Sequence, residues 1–113
     1  MDMTDYIEVD QSELESGEVE GYRNGGTPIS LILVDMPPGG QVRLHRHGYR
    51  EVFVVQEGQP TYRVGAATVE VSAPRVLVVS AAVPHGFVNS GSGRLRQVDI
   101  HLSDRIVTEW LED

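Results

Sequence analysis

The sequence predicts an all-β protein, a sandwich or barrel of many short strands, and three observations carry that expectation. Turn-forming residues recur at short intervals along the 113-residue chain, at 24–26 (NGG), 37–40 (PPGG), 57–60 (EGQP), 65–67 (GAA), 73–74 (AP) and 89–93 (NSGSG). The segments between them are β-branched or alternate polar with apolar residues, the period that suits a pleated strand. Helix-like spacing is confined to the tail, 103–113, where Ile106, Val107, Trp110 and Leu111 fit either a short C-terminal helix or an extended strap.

Taken in order, the acidic, glycine-interrupted stretch 12–20 reads as a loop or edge segment. Strands are expected from ISLILVDM (29–36), QVRLHRHGYREVFVVQ (41–56), TYRVG (61–65), ATVEVS (67–72), RVLVVS (75–80) and RLRQVDIHL (94–102). A chain of this length is expected to form one domain, 1–113. A hydrophobic content of 40% with 23% charged residues excludes disordered and collagen-like classes.

Two absences narrow the chemistry. Without cysteine there is no disulfide and no thiolate, so a bound metal must be held by nitrogen and oxygen. Lysine is also missing, which excludes Schiff-base catalysis and lysine-anchored pyridoxal phosphate. The formal charge of -8, with arginines scattered, argues against nucleic acid and anionic membrane as partners. No apolar run approaches the roughly 20 residues that span a bilayer. The acidic start MDMTDYIEVD is the opposite of a basic signal-peptide n-region, so a cytoplasmic location is expected.

The most informative segment is 39–58, GGQVRLHRHGYREVFVVQEG. On a regular strand Arg43, His45, His47, Tyr49 and Glu51 share one face, whereas on a helix the two histidines would diverge by about 200°. Two imidazoles and a carboxylate on one side of a sheet match the donors of a divalent transition metal. Gly48 weakens strand continuity and marks a bulge or bend that would swing Glu51 into position. On an edge strand the same two histidines would need no functional explanation.

The spacing Gly39-x5-His45-x-His47-x3-Glu51-x6-Gly58 resembles the first motif of the cupin family at every specified position. The second motif is matched by PRVLVVSAAVPHGFVN, 74–89, where His85 and Asn89 keep their places while Pro74, Ser80 and Ala82 replace the family's glycine, proline and glycine. The resemblance implies a double-stranded β-helix, or jelly-roll barrel, with a metal held by His45, His47, Glu51 and His85. Three of the four histidines fall on these positions. Three imidazoles and one carboxylate leave one or two coordination positions open, as a site for chemistry requires. Iron, manganese, nickel, cobalt and zinc all accept this donor set.

Around that centre, parity makes Arg43, Tyr49 and Phe53 neighbours of the ligands, with Arg43 able to pair with an anionic substrate group. Tyr62 and Phe87 are candidates for the pocket lining, although aromatics in a small barrel are commonly just core. The segment 94–102 places Leu95, Gln97, Asp99 and His101 on one face and Arg96, Val98, Ile100 and Leu102 on the other. With the polar set inside, His101 or Asp99 would act as acid or base and Gln97 would bind substrate. Similar small cupins include dioxygenases, isomerases, polyketide cyclases and decarboxylases, so the resemblance implies a metal-dependent enzyme acting on a small oxygen-bearing substrate. A small-molecule sensor without turnover is the alternative. Small cupins commonly pair as homodimers through sheet extension, which would also cover exposed edge strands.

Overall fold

A computed structural model describes residues 5–113; the first four residues, part of the acidic start behind the cytoplasmic expectation, lie outside the described residues. Ten strands form among the described residues, in chain order: β1 (Glu18–Val19), β2 (Ser30–Met36), β3 (Gln41–Arg46), β4 (Glu51–Glu57), β5 (Pro60–Val64), β6 (Ala67–Glu70), β7 (Arg75–Val79), β8 (His85–Asn89), β9 (Leu95–His101) and β10 (Glu109–Trp110). They make two five-stranded antiparallel sheets, β1-β2-β9-β4-β7 and β10-β3-β8-β5-β6. Apart from the β5–β6 hairpin, the chain changes sheet at every connection from β2 onward, which is jelly-roll winding. The sheets face each other without closing into a continuous barrel. No described helix is long and apolar enough to cross a membrane.

The core lies between the inner faces, where Phe53, Val55, Val79 and Leu95 of one sheet meet Tyr62 and Phe87 of the other. Phe53 and Tyr62 pack at 5.1 Å between ring centroids, and Tyr62 and Phe87 at 5.2 Å.

Three local readings are corrected. The segment 41–56 is two strands rather than one: the chain bends at Gly48 and crosses to the facing sheet, so Glu51 approaches the histidines from the opposite side. Of the two readings of the tail, the structure takes not the helix but the extended strap. Two residues of it pair with β3, Glu109 opposite Arg46 and Trp110 opposite His45, and an Arg46–Glu109 ion pair at 2.9 Å flanks the contact. Strand β8 was not among the expected segments, because Pro84 before it and Gly86 within it read as turn residues.

The loop before β8 shows what the departures from the second motif cost. Ala82, where the family has glycine, adopts φ +67°, a conformation that favours glycine, and its N–H donates to the His47 carbonyl at 2.8 Å. Ala82→Gly is therefore expected to stabilise the protein by about 1 kcal/mol, read as a higher urea midpoint with unchanged slope. Asn89 serves a structural purpose: its side-chain amide donates to the carbonyls of Met36 at 3.1 Å and Gly93 at 2.9 Å, tying the 89–93 loop to the end of β2.

Candidate metal centre

The site is built from two cross-strand pairs that face each other between the sheets. His45 on β3 lies opposite His85 on β8, and Glu51 on β4 lies opposite His101 on β9. His47 follows β3 in the connection that leads to β4. All five side chains are buried. One donor atom from each of His45, His47, Glu51 and His85 falls within a sphere where no two are more than 4.8 Å apart.

Each of these histidines is turned by a backbone carbonyl. Nδ1 of His45 bonds the carbonyl of Arg43 at 2.7 Å, that of His47 the carbonyl of Val107 at 2.8 Å, and that of His85 the carbonyl of Val83 at 2.9 Å. A carbonyl only accepts, so the proton resides on Nδ1 and the Nε2 lone pair points inward, the tautomer a metal ligand needs. Nε2 of His47 lies 3.2 Å from Glu51 yet has no aligned partner, although it is fully buried. An orphaned buried acceptor among inward-facing donors is what a cation would satisfy, and the residues fit one.

Two sequence irregularities make this geometry. The β3–β8 register shifts between Val42 and His45, a bulge that turns the Arg43 carbonyl onto His45. Opposite it sits Gly86, where a Cβ would lie 2.8 Å from the Val42 carbonyl oxygen and 3.1 Å from the Arg43 carbonyl carbon. The bulge also overturns the expected parity for Arg43. Its side chain is exposed and stacks over Trp110 at 4.6 Å instead of entering the cavity. Trp110 in turn lies 5.1 Å from the His45 ring, so the C-terminal strap roofs the ligands.

The polar face of β9 turns inward, with Gln97, Asp99 and His101 each buried. His101 directs Nε2 to Glu51 at 3.1 Å and Nδ1 to the Tyr49 hydroxyl at 2.6 Å. The Tyr62 hydroxyl donates to Gln97, whose amide donates to Asp99 at 2.8 Å. A cavity of about 170 Å³ is lined by His45, His47, Glu51, Asp99 and His101 with Phe53, Phe87 and Trp110 among its apolar walls. Of the expected pocket residues, Phe53 and Phe87 line it, whereas Tyr49, Tyr62 and Gln97 stand behind the lining and act on it through hydrogen bonds. Sequence reasoning missed Ile32, Val34, Ile106 and Trp110, which reach the cavity from strands and a strap distant in sequence.

The electrostatics differ from group to group. Burial alone would raise Glu51, but the three imidazoles beside it, of His101, His47 and His85, outweigh that and hold the carboxyl far below the usual range. Burial pushes His45 down to about 4, keeping it neutral at physiological pH. Burial also opposes protonation of His47, but the adjacent Glu51 carboxylate and the Val107 carbonyl prevail and raise it. Asp99 is pushed well up by burial and by the Glu51 charge, so it keeps its proton.

That proton gives a stability dependence of definite sign. Above the ordinary carboxylate range the unfolded chain releases it while the folded protein retains it, so the contribution of Asp99 to stability falls as pH rises. Glu51 has the opposite sign, stabilising above the ordinary range and losing that contribution as pH falls. Asp99→Asn keeps the acceptor for Gln97 and removes the ionisation. Its melting temperature, measured in chelator-treated protein, is expected to exceed that of the parent by more at pH 7.5 than at pH 4.5.

Comparison with known proteins places this centre in a family. Bacillus subtilis oxalate decarboxylase, as its S161A mutant, is similar with a TM-score of 0.76 and 24% identity over 91% of this chain, which spans 30% of that chain. A recombinant oxalate oxidase in complex with glycolate is similar with a TM-score of 0.71 and 17% identity, over 93% of this chain and 60% of that one. The Cnp3 cupin domain of Schizosaccharomyces pombe is similar with a TM-score of 0.64 and 19% identity, over 67% and 56%. These likenesses are of fold. No curated protein sequence matches. The family model described as Cupin domain matches residues 32–101, more than half of the chain, a span that contains all four candidate ligands. The chain belongs to the Cupin domain family.

Proposed function

We propose that this cupin is a metal-dependent enzyme acting on a small oxygen-bearing organic molecule, as a dioxygenase or as an isomerase or cyclase. The observation that carries the reading is the convergence of three buried imidazoles and one carboxylate, of which His45, His47 and Glu51 line a cavity with largely apolar walls. A divalent iron, manganese, nickel, cobalt or zinc ion held there would supply Lewis acidity, and a redox metal also chemistry with dioxygen. Bacillus subtilis oxalate decarboxylase, similar in fold, has Mn(II) centres.

The lining supports a substrate class. A volume of about 170 Å³ favours a molecule smaller than the usual ligand of a 300–1,000 Å³ pocket. Phe53, Phe87, Val34 and Trp110 exclude water and hold an apolar body. Among the described residues no arginine lines the cavity, while Glu18 does. Three neutral imidazoles, one carboxylate and a divalent cation sum to a single positive charge, which suits a neutral or singly anionic oxygen group and disfavours a dianion.

Within this reading His101 and Asp99 handle protons. His101, oriented by Tyr49 and aimed at Glu51, takes or returns a proton at a substrate oxygen, and Asp99 donates a hydrogen bond to a developing negative charge. Arg43 and Trp110 form the rim, where Arg43 can attract an anionic substrate.

The test is metal analysis of protein purified without a histidine tag, followed by oxygen-uptake and substrate-panel assays. About one equivalent of a redox metal with oxygen consumption supports a dioxygenase; one equivalent of zinc with substrate turnover supports an isomerase or cyclase. Failure to retain metal after loading overturns the reading. Tight binding of small molecules with no turnover would assign the alternative, a sensor.

A further inference from the structure

The remaining histidine of the chain is as deeply buried as the three candidate ligands, and its tautomer decides what it can do. His101 is 1% exposed, and its ring centroid lies 4.7 Å from that of His47. Its Nε2 stands 3.1 Å from Oε2 of Glu51, its cross-strand partner, without an aligned hydrogen bond. By position alone His101 could be one more donor to a cation. On Nδ1, however, it meets a hydroxyl where the other three meet a carbonyl: the Tyr49 oxygen lies 2.6 Å away. That oxygen already accepts the N–H of Val107 at 3.2 Å. The other ring nitrogen near it, His47 Nδ1 at 3.3 Å, gives its proton to the Val107 carbonyl. Among the described residues His101 Nδ1 is thus the free lone pair facing the phenolic proton, so it accepts, and the imidazole proton resides on Nε2.

The two oxygens of Glu51 therefore face opposite chemistry. Oε1 has the Nε2 atoms of His85 at 2.9 Å and His47 at 3.2 Å, both lone pairs by the carbonyl argument, and an anion among lone pairs calls for a cation. Oε2 has an N–H, which attracts it directly. We propose that His101 is a positioning residue, kept out of the ligand set by Tyr49, whose Nε2–H holds Oε2 of Glu51 so that Oε1 alone is offered to a cation. The inference rests on the metal reading of the site and deepens it. With Oε2 and His101 both withheld, the centre supplies four donors, and an octahedral ion keeps two positions for substrate oxygens rather than one.

Long-range proton–nitrogen NMR correlation of the ring nitrogens in histidine-labelled, chelator-treated protein reads the tautomers directly. Expected are His45, His47 and His85 with the proton on Nδ1, and His101, identified by its absence from His101→Gln, with the proton on Nε2. A proton on Nδ1 of His101 overturns the proposal. In Tyr49→Phe the Nδ1 shift of His101 is expected to move to that of a nitrogen without a donor, and an unmoved shift overturns the role given to Tyr49. Added zinc is expected to move the Nε2 shifts of His45, His47 and His85 while His101 keeps its proton; coordination at His101 overturns the proposal. Zinc that moves none of the four overturns the metal reading and the assignment of Oε1 with it, whereas a proton on Nε2 would still uphold the pairing of Tyr49 with His101. His101→Leu is expected to bind about one equivalent of zinc with affinity about 10-fold lower, and His101→Gln, whose amide keeps an N–H, to recover most of that loss. Equal losses in the two variants overturn the hold on Oε2.

Discussion

Protein carrying His85→Ala is expected to retain less than about one tenth of an equivalent of divalent metal where the parent retains about one. Loss of an orienting group behind a ligand already lowers affinity by about 10–100-fold, and loss of the ligand itself exceeds that. His85 is the member of the set that comes from the second motif, so the result tests whether the two distant segments act on one ion. Its Nε2 sits 2.9 Å from Glu51. The effect also reaches stability. Metal at about 100 times its dissociation constant stabilises the folded state by about 2.7 kcal/mol. At roughly 4 °C per kcal/mol for a domain of this size, chelation should lower the parent melting temperature by about 10 °C. In the alanine variant the difference between metal-loaded and chelator-treated melts should vanish, and a variant that keeps a full equivalent would remove His85 from the ligand set.

Gly86→Ala is expected to damage fold and centre together. Its Cβ would stand 2.8 Å from a backbone oxygen of the bulge, and backbone cannot rotate aside as a flexible side chain can. Overpacking of this kind costs about 1–3 kcal/mol. The backbone that must shift bears the carbonyl that orients His45, and the glycine adjoins His85 in sequence, so metal affinity should fall more than about tenfold as well. Gly48→Ala is the control. A Cβ there meets nothing within 4 Å, and stability should stay within about 0.5 kcal/mol of the parent. Urea melts and metal titration of both variants distinguish a local clash from a general intolerance of substitution near the site.

The clustering of His45, His47 and Glu51 was legible because their spacing is tied to local geometry: two histidines one residue apart, a glycine bend, then a carboxylate. The alternation along β9 likewise exposed two possible faces, and the inward one proved to be Gln97, Asp99 and His101. Period-two arguments fail wherever the chain stops being a regular strand. They placed Arg43 with the ligands because one extra residue in a bulge reverses every side chain before it, and nothing in Val-Arg-Leu announces a bulge. They missed β8 because Pro84 and Gly86 are turn residues in isolation, whereas here the glycine is required by a neighbour 43 positions earlier. The Val107 carbonyl that turns His47 lies 60 positions away from it, and the cavity walls likewise come from segments distant in sequence, so no local pattern encodes them.

The strap formed by the last residues carries two duties in one peptide. Ile106, Thr108 and Trp110 wall the cavity, while the intervening Val107 carbonyl fixes the tautomer of His47. Under the proposed function, admission of a guest and grip on an ion would be mechanically joined: peeling back this ribbon to widen the doorway would withdraw the acceptor that keeps an imidazole aimed inward. Any change that loosens residues 106–110 would, on that reading, weaken cation retention without touching a candidate ligand.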